Sequence, residues 1–248
     1  MESIGKYFIF LRSLFTNRES FQTYVGLVID ECVKVGIHSI ILIAIVSIFM
    51  GAVTTIQTAY NLVSPLIPNY VIAEVVRDMV LLELAPTIIA IIFAGKVGSN
   101  IAGELGTMRI TEQIDALEVM GLNSTSYLVL PKVVATLLMY PMLVVLSAFL
   151  SLWGGYVAAD FTGVITTQEY IQGIRNQLNE FMVLFAMIKA YVFAFLISSI
   201  SSYMGYYTTG GALEVGKAST SAVTNSVIAV LCADYLLAQL LAEYLTQY

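Results

Sequence analysis

Five long apolar stretches divide this chain, and short polar segments separate them. Between residues 35 and 73, for example, there is no Asp, Glu, Lys or Arg. A helix needs about 20 mostly apolar residues to cross a bilayer. The stretches that meet this length are residues 37–58, 79–97, 133–155, 181–204 and 221–241. The pattern predicts an all-α, polytopic membrane protein with five transmembrane helices.

The composition agrees with a membrane location. Hydrophobic residues make up 58% of the 248 positions and charged residues only 11%, whereas soluble domains carry about 25% charged residues. The length suits a single domain over residues 1–248. The net charge of −6 and the lack of a basic block argue against nucleic acid as a partner.

The N-terminal segment, residues 1–34, mixes basic and aromatic side chains. Lys6 and Arg12 alternate with apolar clusters around Phe8 and Phe21. This mixture is typical of a helix that lies on the membrane surface, and a plain cytosolic lead-in is the alternative.

Residues 107–121 predict a short amphipathic helix between the second and third spans. Its apolar side consists of Ile110, Ile114 and Leu117, and its acidic side of Glu112, Asp115 and Glu118. Gly121 suits the C-terminal stop of such a helix. Because the cytoplasmic leaflet is negative, an acidic helix favours a protein partner over lipid.

The distribution of Lys and Arg predicts the orientation. A cytosolic N-terminus leaves two of them in outside segments, Arg77 and Arg175, and eight inside. The eight are Lys6, Arg12, Arg18, Lys34, Lys96, Arg109, Lys132 and Lys217. The positive-inside rule therefore favours a cytosolic N-terminus and a periplasmic C-terminus. Segments 107–121 and 205–220 are then cytosolic, and the polar segment 160–180, where a short helix fits, lies outside.

Three charged residues lie within the spans, and this orientation puts all of them in the outer half of the bilayer. Glu83, Lys189 and Asp234 each carry a large desolvation cost there, so they should pair or line a wet cavity. The pattern fits a structural pair of Lys189 with one of the acids. It also fits a polar site for a headgroup or a gate, and the sequence leaves both open.

Small residues recur at every fourth position from Ala90 to Gly106. This small-residue row consists of Ala90, Ala94, Gly98, Ala102 and Gly106, and Gly95, Ser99 and Gly103 form a second row beside it. Rows of this kind let another helix approach closely. The partner is either a helix of the same subunit or a second subunit in a homodimer.

Several kinds of chemistry are excluded. Residues 211–217 match the start of a phosphate-binding loop, but Ala218 stands where Ser or Thr should hold magnesium, and a membrane span precedes the segment. One histidine, His38, and two distant cysteines, Cys32 and Cys232, offer no metal-ligand spacing. We therefore expect no metal, no nucleotide and no catalytic site in this chain.

Two segments resemble a known family. The first has the signatures Glu83-Leu-Ala-Pro86, Phe93-Ala-Gly95 and Glu104-Leu-Gly106-Thr-Met108, and it continues to Met120. The second covers residues 210–223. Both are similar to the MlaE family of ABC-transporter permeases, and with the span pattern the likeness covers nearly the whole chain. Lys96 stands where many members have Arg, so the charge is kept.

The resemblance implies a permease subunit that moves phospholipid between the inner and outer membranes of a diderm bacterium, with no enzymatic activity of its own. It implies a homodimer in the inner (cytoplasmic) membrane and three kinds of partner: a cytosolic ABC ATPase, a periplasmic MCE-domain protein and, in some systems, a STAS-type protein. ATP and magnesium would bind to the ATPase, so no cofactor is expected in this chain.

The resemblance also implies two sites. Helix 107–121 would be the coupling helix that docks on the ATPase, with Glu104, Arg109, Glu112, Ile114, Asp115, Leu117 and Glu118 as the expected coupling residues. Phospholipid would bind in a cavity that opens to the outside. The expected lipid-binding or gating residues are Leu62, Leu66, Glu83, Lys189 and Asp234.

Two alternatives stay open from the residues alone. The first is an ion-coupled secondary transporter in which Glu83, Lys189 and Asp234 relay protons or ions, although the chain shows none of the internal repeats typical of such folds. The second is a non-transporting membrane anchor for a complex, which would need no intramembrane charges.

Overall fold

The computed structural model describes residues 2–14, 21–62, 68–176 and 178–245, and all of the regular structure in these residues is helical. The helices are α1 (Glu2–Ser13), α2 (Phe21–Cys32), α3 (His38–Asn61), α4 (Tyr70–Met79), α5 (Ile89–Phe93), α6 (Ser99–Ile110), α7 (Gln113–Val119), α8 (Ser124–Thr162), α9 (Thr167–Arg175), α10 (Glu180–Tyr206) and α11 (Ala212–Leu245). Three π-helical segments join consecutive helices: Val33–Ile37, Val80–Ile88 and Ala94–Gly98.

Five continuous helices in the described residues are long and apolar enough to cross a membrane. They are Thr23–Asn61, Tyr70–Ile110, Ser124–Thr162, Glu180–Tyr206 and Ala212–Leu240. This confirms the predicted all-α, five-span architecture. The helices are longer than the apolar stretches, because the polar residues that flank each stretch continue the helix instead of ending it. The second has 41 residues, about twice the ~20 that a bilayer requires.

Two of the predicted connections differ in the structure. Residues 21–34 are not part of a separate surface helix, because α2 continues through the π-helical turn Val33–Ile37 into α3. No proline lies in this segment to stop the helix. Residues 212–220, which belong to the segment 205–220 between the fourth and fifth predicted spans, form the first turns of α11. The actual break is residues 207–211, where Gly210 has a φ of +114° that favours glycine. The short helix expected within 160–180 is α9.

The described residues divide into two compact units. The first unit draws on residues 1–39, 90–140 and 191–235, and the second on residues 40–89, 141–190 and the residues from 236 onward. Each unit has its own buried contacts, and the two are described separately.

In the second unit, α3 and α8 cross in direct main-chain contact. A Cβ atom on Gly51 would lie 1.7 Å from the carbonyl oxygen of Ser151, and one on Gly154 would meet the opposite main chain at 2.2 Å. Beside this crossing the buried Ser47 hydroxyl donates to Ser147 Oγ at 2.8 Å. Glycine is required at both contact positions, since any side chain would force the helices apart.

A buried arginine of the second unit holds the C-terminal end of α9. Arg77, predicted to lie in an outside segment, is only 1% exposed. Its guanidinium donates to the main-chain carbonyls of Gly173 at 3.3 Å, Ile174 at 3.1 Å and Asn176, and pairs with Asp78 at 2.7 Å. The last carbonyls of a helix have no partner inside the helix, so Arg77 supplies the donors that α9 lacks.

The N-terminal end of α9 is fixed by a capping box. The Thr166 hydroxyl accepts from the main-chain N–H of Glu169, and the Glu169 carboxylate accepts from the Thr166 main-chain N–H at 3.0 Å. Asn69 also donates to Glu169 at 3.1 Å. Hydrogen bonds from Thr166, helped by Asn69, lower the pKa of Glu169. With Arg77 at the other end, α9 is held at both termini.

In the first unit, the small-residue row packs against other helices of the same chain. All five of its members are buried. A Cβ on Gly98 would lie 2.7 Å from Ser201 Oγ on α10, and one on Gly106 would lie 3.2 Å from Val215 on α11. The row therefore packs against helices of the same subunit, which is one of the two partners that the sequence left open. Gly95 of the second row is exposed, with open space beyond it.

Candidate functional site

Two of the three predicted intramembrane charges meet in the second unit. Lys189 on α10 is only 1% exposed, and its Nζ donates to Glu83 Oε2 at 2.7 Å. The side chain of Glu83 is half-exposed. Lys189 also lies over the ring of Phe185, 5.0 Å from its centre. The sequence left open which of the two acids pairs with Lys189. In the structure Glu83 pairs with it.

The helix that carries Glu83 has an irregular backbone at this point. Glu83 and Pro86 lie in the π-helical segment Val80–Ile88. Lys189 Nζ also donates to the main-chain carbonyl of Leu82 in this segment, at 3.0 Å. This main-chain acceptor helps to hold the ammonium group beside the carboxylate.

An apolar crevice lies in the same unit. It has a volume of about 100 Å³ and is lined by Leu81, Ala85, Val144, Val145, Ala148, Val183, Ala186 and Met187. Ala85 belongs to the same π-helical segment as Glu83, so an ion pair and an apolar wall are built on one short stretch of helix. The segment therefore presents a polar group and an apolar wall, the two kinds of surface that an amphipathic molecule can contact.

The other predicted lipid-binding residues are placed differently. Leu62 is half-buried in the second unit and packs against the cluster around Ala59 and Tyr170. Leu66 lies outside the described residues. Asp234 is half-buried on α11 and belongs to the first unit.

The predicted coupling helix corresponds to α7, which is shorter than the expected 107–121. The second membrane helix ends at Ile110, and Glu112 adopts a left-handed conformation with a φ of 59° before α7 begins. Asp115 of α7 pairs across this break with Arg109 at 2.6 Å. Gly121 ends the helix as predicted, with a φ of +82°.

The side chains of α7 divide into anchoring and exposed groups. Ile114 is completely buried, so it anchors α7 to its own unit instead of facing a partner. The carboxylate of Glu118 accepts from Tyr206 Oη at 3.0 Å and from Ser124 Oγ at 2.9 Å. Leu117 is half-buried. The exposed residues are Glu112, Gln113, Asp115, Ala116, Glu118, Val119 and Met120. The solvent side of α7 is therefore acidic with an apolar end.

Glu104, the remaining predicted coupling residue, belongs to a separate cluster of charges in the first unit. Its two carboxylate oxygens pair with Lys132 at 2.5 Å and with Lys34 at 3.4 Å. Glu31 pairs with the same two lysines, at 3.0 Å each. No sequence pattern indicates this cluster, because its members come from three segments that are far apart in the chain.

Among the residues that the structure describes, no three His, Cys, Asp or Glu side chains are grouped as metal ligands. The carboxylates in the described ion pairs are bound by Lys or Arg side chains.

Comparison with known proteins places the chain in a family. The family model described as Permease MlaE matches residues 28–240. A probable ABC transporter permease protein of Rickettsia bellii is 38% identical over 239 residues, which cover 96% of this chain and 92% of the relative. A probable ABC transporter permease protein of Synechocystis sp. is 35% identical over 87% of this chain and 81% of its own length. The protein TRIGALACTOSYLDIACYLGLYCEROL 1, chloroplastic, of Arabidopsis thaliana is 34% identical over 84% of this chain and 59% of its own length.

These matches agree with the five membrane helices and with the signature residues from Glu83 onward. The match covers four of the five membrane helices completely and nearly all of the first. The chain belongs to the MlaE permease family.

Proposed function

We propose that this chain is the membrane subunit of an ABC transporter that moves phospholipid between the two membranes of a diderm bacterium. A separate cytosolic ATPase supplies the energy, and the permease acts as a homodimer in the inner membrane with a cytosolic N-terminus. The relatives named as ABC transporter permeases support the transporter class. The Arabidopsis relative is named after a glycolipid, which supports a lipid as the substrate class.

The observation that carries the proposal is the pair formed by Glu83 and Lys189. A buried ammonium group in a membrane helix is costly, and such groups usually mark substrate pathways. Here the lysine is buried while its carboxylate partner is half-exposed. A phosphate headgroup that approached Glu83 would compete with this carboxylate for Lys189, and the acyl chains would lie against apolar walls such as the nearby crevice. The pair thus provides a headgroup contact that opens only when substrate displaces Glu83.

The test uses the whole complex, purified from native membranes and reconstituted in vesicles with a fluorescent phospholipid. Glu83→Gln keeps an oxygen acceptor for Lys189 but removes the charge that displaces the headgroup from Lys189 after transfer. We therefore expect ATP-dependent lipid transfer to fall at least about tenfold, the factor that corresponds to 1.4 kcal/mol. Glu180→Gln is the matched control, because Glu180 is exposed at the start of α10. Lipid transfer at the wild-type rate in a folded Glu83→Gln complex would refute the proposed site.

The role of α7 is tested on the same complex. Glu112→Lys reverses a charge on the exposed acidic side, and Leu117→Asp inserts a charge at a half-buried position. Both should weaken ATPase association and separate ATP hydrolysis from lipid transfer. Glu214→Lys, on the exposed first turn of α11, controls for a change of charge elsewhere. If both α7 variants associate with the ATPase and transfer lipid as the wild type does, α7 is not the coupling helix.

A further inference from the structure

A second cavity, in the first unit, has features that the Glu83 site does not explain. Its volume is about 410 Å³, room for roughly a dozen water molecules at about 30 Å³ each. The lining residues are Glu31, Lys34, Val35, His38, Lys96, Val97, Asn100, Ile101 and Glu104. Two of the three π-helical segments, Val33–Ile37 and Ala94–Gly98, contribute residues to this lining. Single π-helical turns inside α-helices frequently occur at functional sites.

Most charges around the cavity neutralise each other. Glu31 and Glu104 each pair with both Lys34 and Lys132, at distances between 2.5 and 3.4 Å. Two carboxylates and two ammonium groups make this cluster neutral. Lys132 is buried within it, but the Lys34 side chain remains 53% exposed and can reach a further anion.

Lys96 is the cation that this cluster does not neutralise. Its Nζ donates to the main-chain carbonyl of His38, and no carboxylate among the described residues pairs with it. The side chain is half-buried on the second membrane helix, at the end that is predicted to be cytosolic. Asn100, one helical turn further on, exposes its amide to the same cavity. The cavity therefore combines a net positive charge with neutral hydrogen-bond donors.

We propose that this cavity binds a phosphate group, held by Lys96 together with the exposed ammonium of Lys34 and the amide of Asn100. Ammonium groups and amide N–H groups are the donors that phosphate oxygens accept from. The group belongs either to a phospholipid headgroup or to inorganic phosphate. Only the choice of a lipid as its source rests on the proposed function. The residues of this site all belong to the first unit, whereas Glu83 and Lys189 belong to the second.

The experiment measures binding to the full-length chain in detergent after native lipid has been removed. Native mass spectrometry compares dioleoyl phosphatidylglycerol with dioleoylglycerol, which has the same acyl chains and no phosphate. The wild-type chain should prefer the phosphate-bearing lipid, and inorganic phosphate should compete with it. Lys96→Gln should weaken binding of the phosphate-bearing lipid at least about tenfold while leaving dioleoylglycerol unchanged, since charge-assisted hydrogen bonds are lost.

Three variants control for folding and for charge. Lys96→Arg keeps the charge and should keep the preference. Lys217→Gln removes an equal charge at an exposed position outside the cavity and should have no effect. Asn100→Glu places a carboxylate four residues from Lys96, where it can pair with it, and should abolish the preference in a folded protein.

The outcomes separate the possible sources and the possible errors. If Lys96-dependent binding is seen for inorganic phosphate alone, the site takes the free anion. If Lys96→Gln and Asn100→Glu both retain the wild-type preference, the lysine only caps the His38 carbonyl and the proposal is wrong. No ATP or ATPase is present, and Glu83 and Lys189 are unchanged in every variant, so this result is independent of whether the chain transports lipid.

Discussion

The close crossing of α3 and α8 predicts that adding a single methyl group at Gly51 destabilises the protein. Replacing Gly51 by Ala puts a Cβ 1.7 Å from the Ser151 carbonyl oxygen, whereas ordinary contact begins near 3.4 Å. The opposing atom is main chain, so no side chain can rotate away. The helices must separate by the difference, about 1.7 Å, which stretches the 2.8 Å bond between Ser47 and Ser147 beyond hydrogen-bond length.

The expected cost has two parts. Overpacking costs about 1–3 kcal/mol and a lost interhelical hydrogen bond in a membrane protein about 0.6 kcal/mol, so Gly51→Ala should destabilise the protein by roughly 2–4 kcal/mol. The assay is equilibrium unfolding in mixed micelles with increasing dodecyl sulfate. The single tryptophan, Trp153, lies beside Gly154 on α8 and reports on this crossing by its fluorescence.

The matched control is Gly26→Ala, where the same methyl group meets open space on an exposed helical position. Alanine is favoured over glycine in a helix by about 0.5–1 kcal/mol, so this variant should be as stable as the wild type or more stable. If Gly51→Ala and Gly26→Ala shift the transition equally, or if Gly51→Ala does not shift it, the close crossing is refuted.

Three further predictions concern the short helices α9 and α7. Arg77→Gln should speed hydrogen exchange throughout α9 by weakening it about 2–4 kcal/mol, because buried carbonyls lose a charged donor; unchanged exchange would contradict the capping role. Because hydrogen bonds from Thr166 lower the pKa of Glu169, the stability from this capping box is fully present above the ordinary glutamate pKa and is lost as the pH falls through the lowered one. An acid titration of α9 exchange should show this loss in the wild type and not in Glu169→Gln. Ile114→Ala should cost about 2–5 kcal/mol by leaving a cavity under α7, whereas Met120→Ala, at an exposed position, should leave the melting temperature unchanged.

Hydropathy predicted the membrane helices well and their ends poorly. The apolar stretches identify spans because burial in lipid requires them. Helix ends depend instead on local signals, and the segment before the first span has none that stops a helix. The break before α7 depends on the left-handed conformation of Glu112, which residue type alone does not predict.

The sequence located the charges at the candidate site but not the contacts they make. Lys189 was recognised as an intramembrane charge, yet its pairing with Glu83 depends on how α10 is rotated about its axis. The burial of Arg77 is not predictable for the same reason, since the sequence of an outside segment does not show whether a guanidinium beside a span faces water or a helix end. Ile114 has the spacing of an exposed docking stripe and is buried, because periodicity identifies an apolar side without saying what covers it.

The π-helical turn at Ala94–Gly98 has a consequence for the small-residue row that passes through it. In a regular α-helix a step of four residues advances about 40° around the axis, so a row with this spacing drifts away from its neighbour after a few steps. A π-helical turn winds more slowly, because its hydrogen bonds span five residues, and it turns the later positions back. All five residues of the row therefore remain buried along one side over four steps. Because a π-helical turn holds one more residue than an α-helical turn, removing one residue from it would restore a regular helix with little rotation of the residues that lead to α7, whereas the same deletion elsewhere in the helix would rotate them by about 100°.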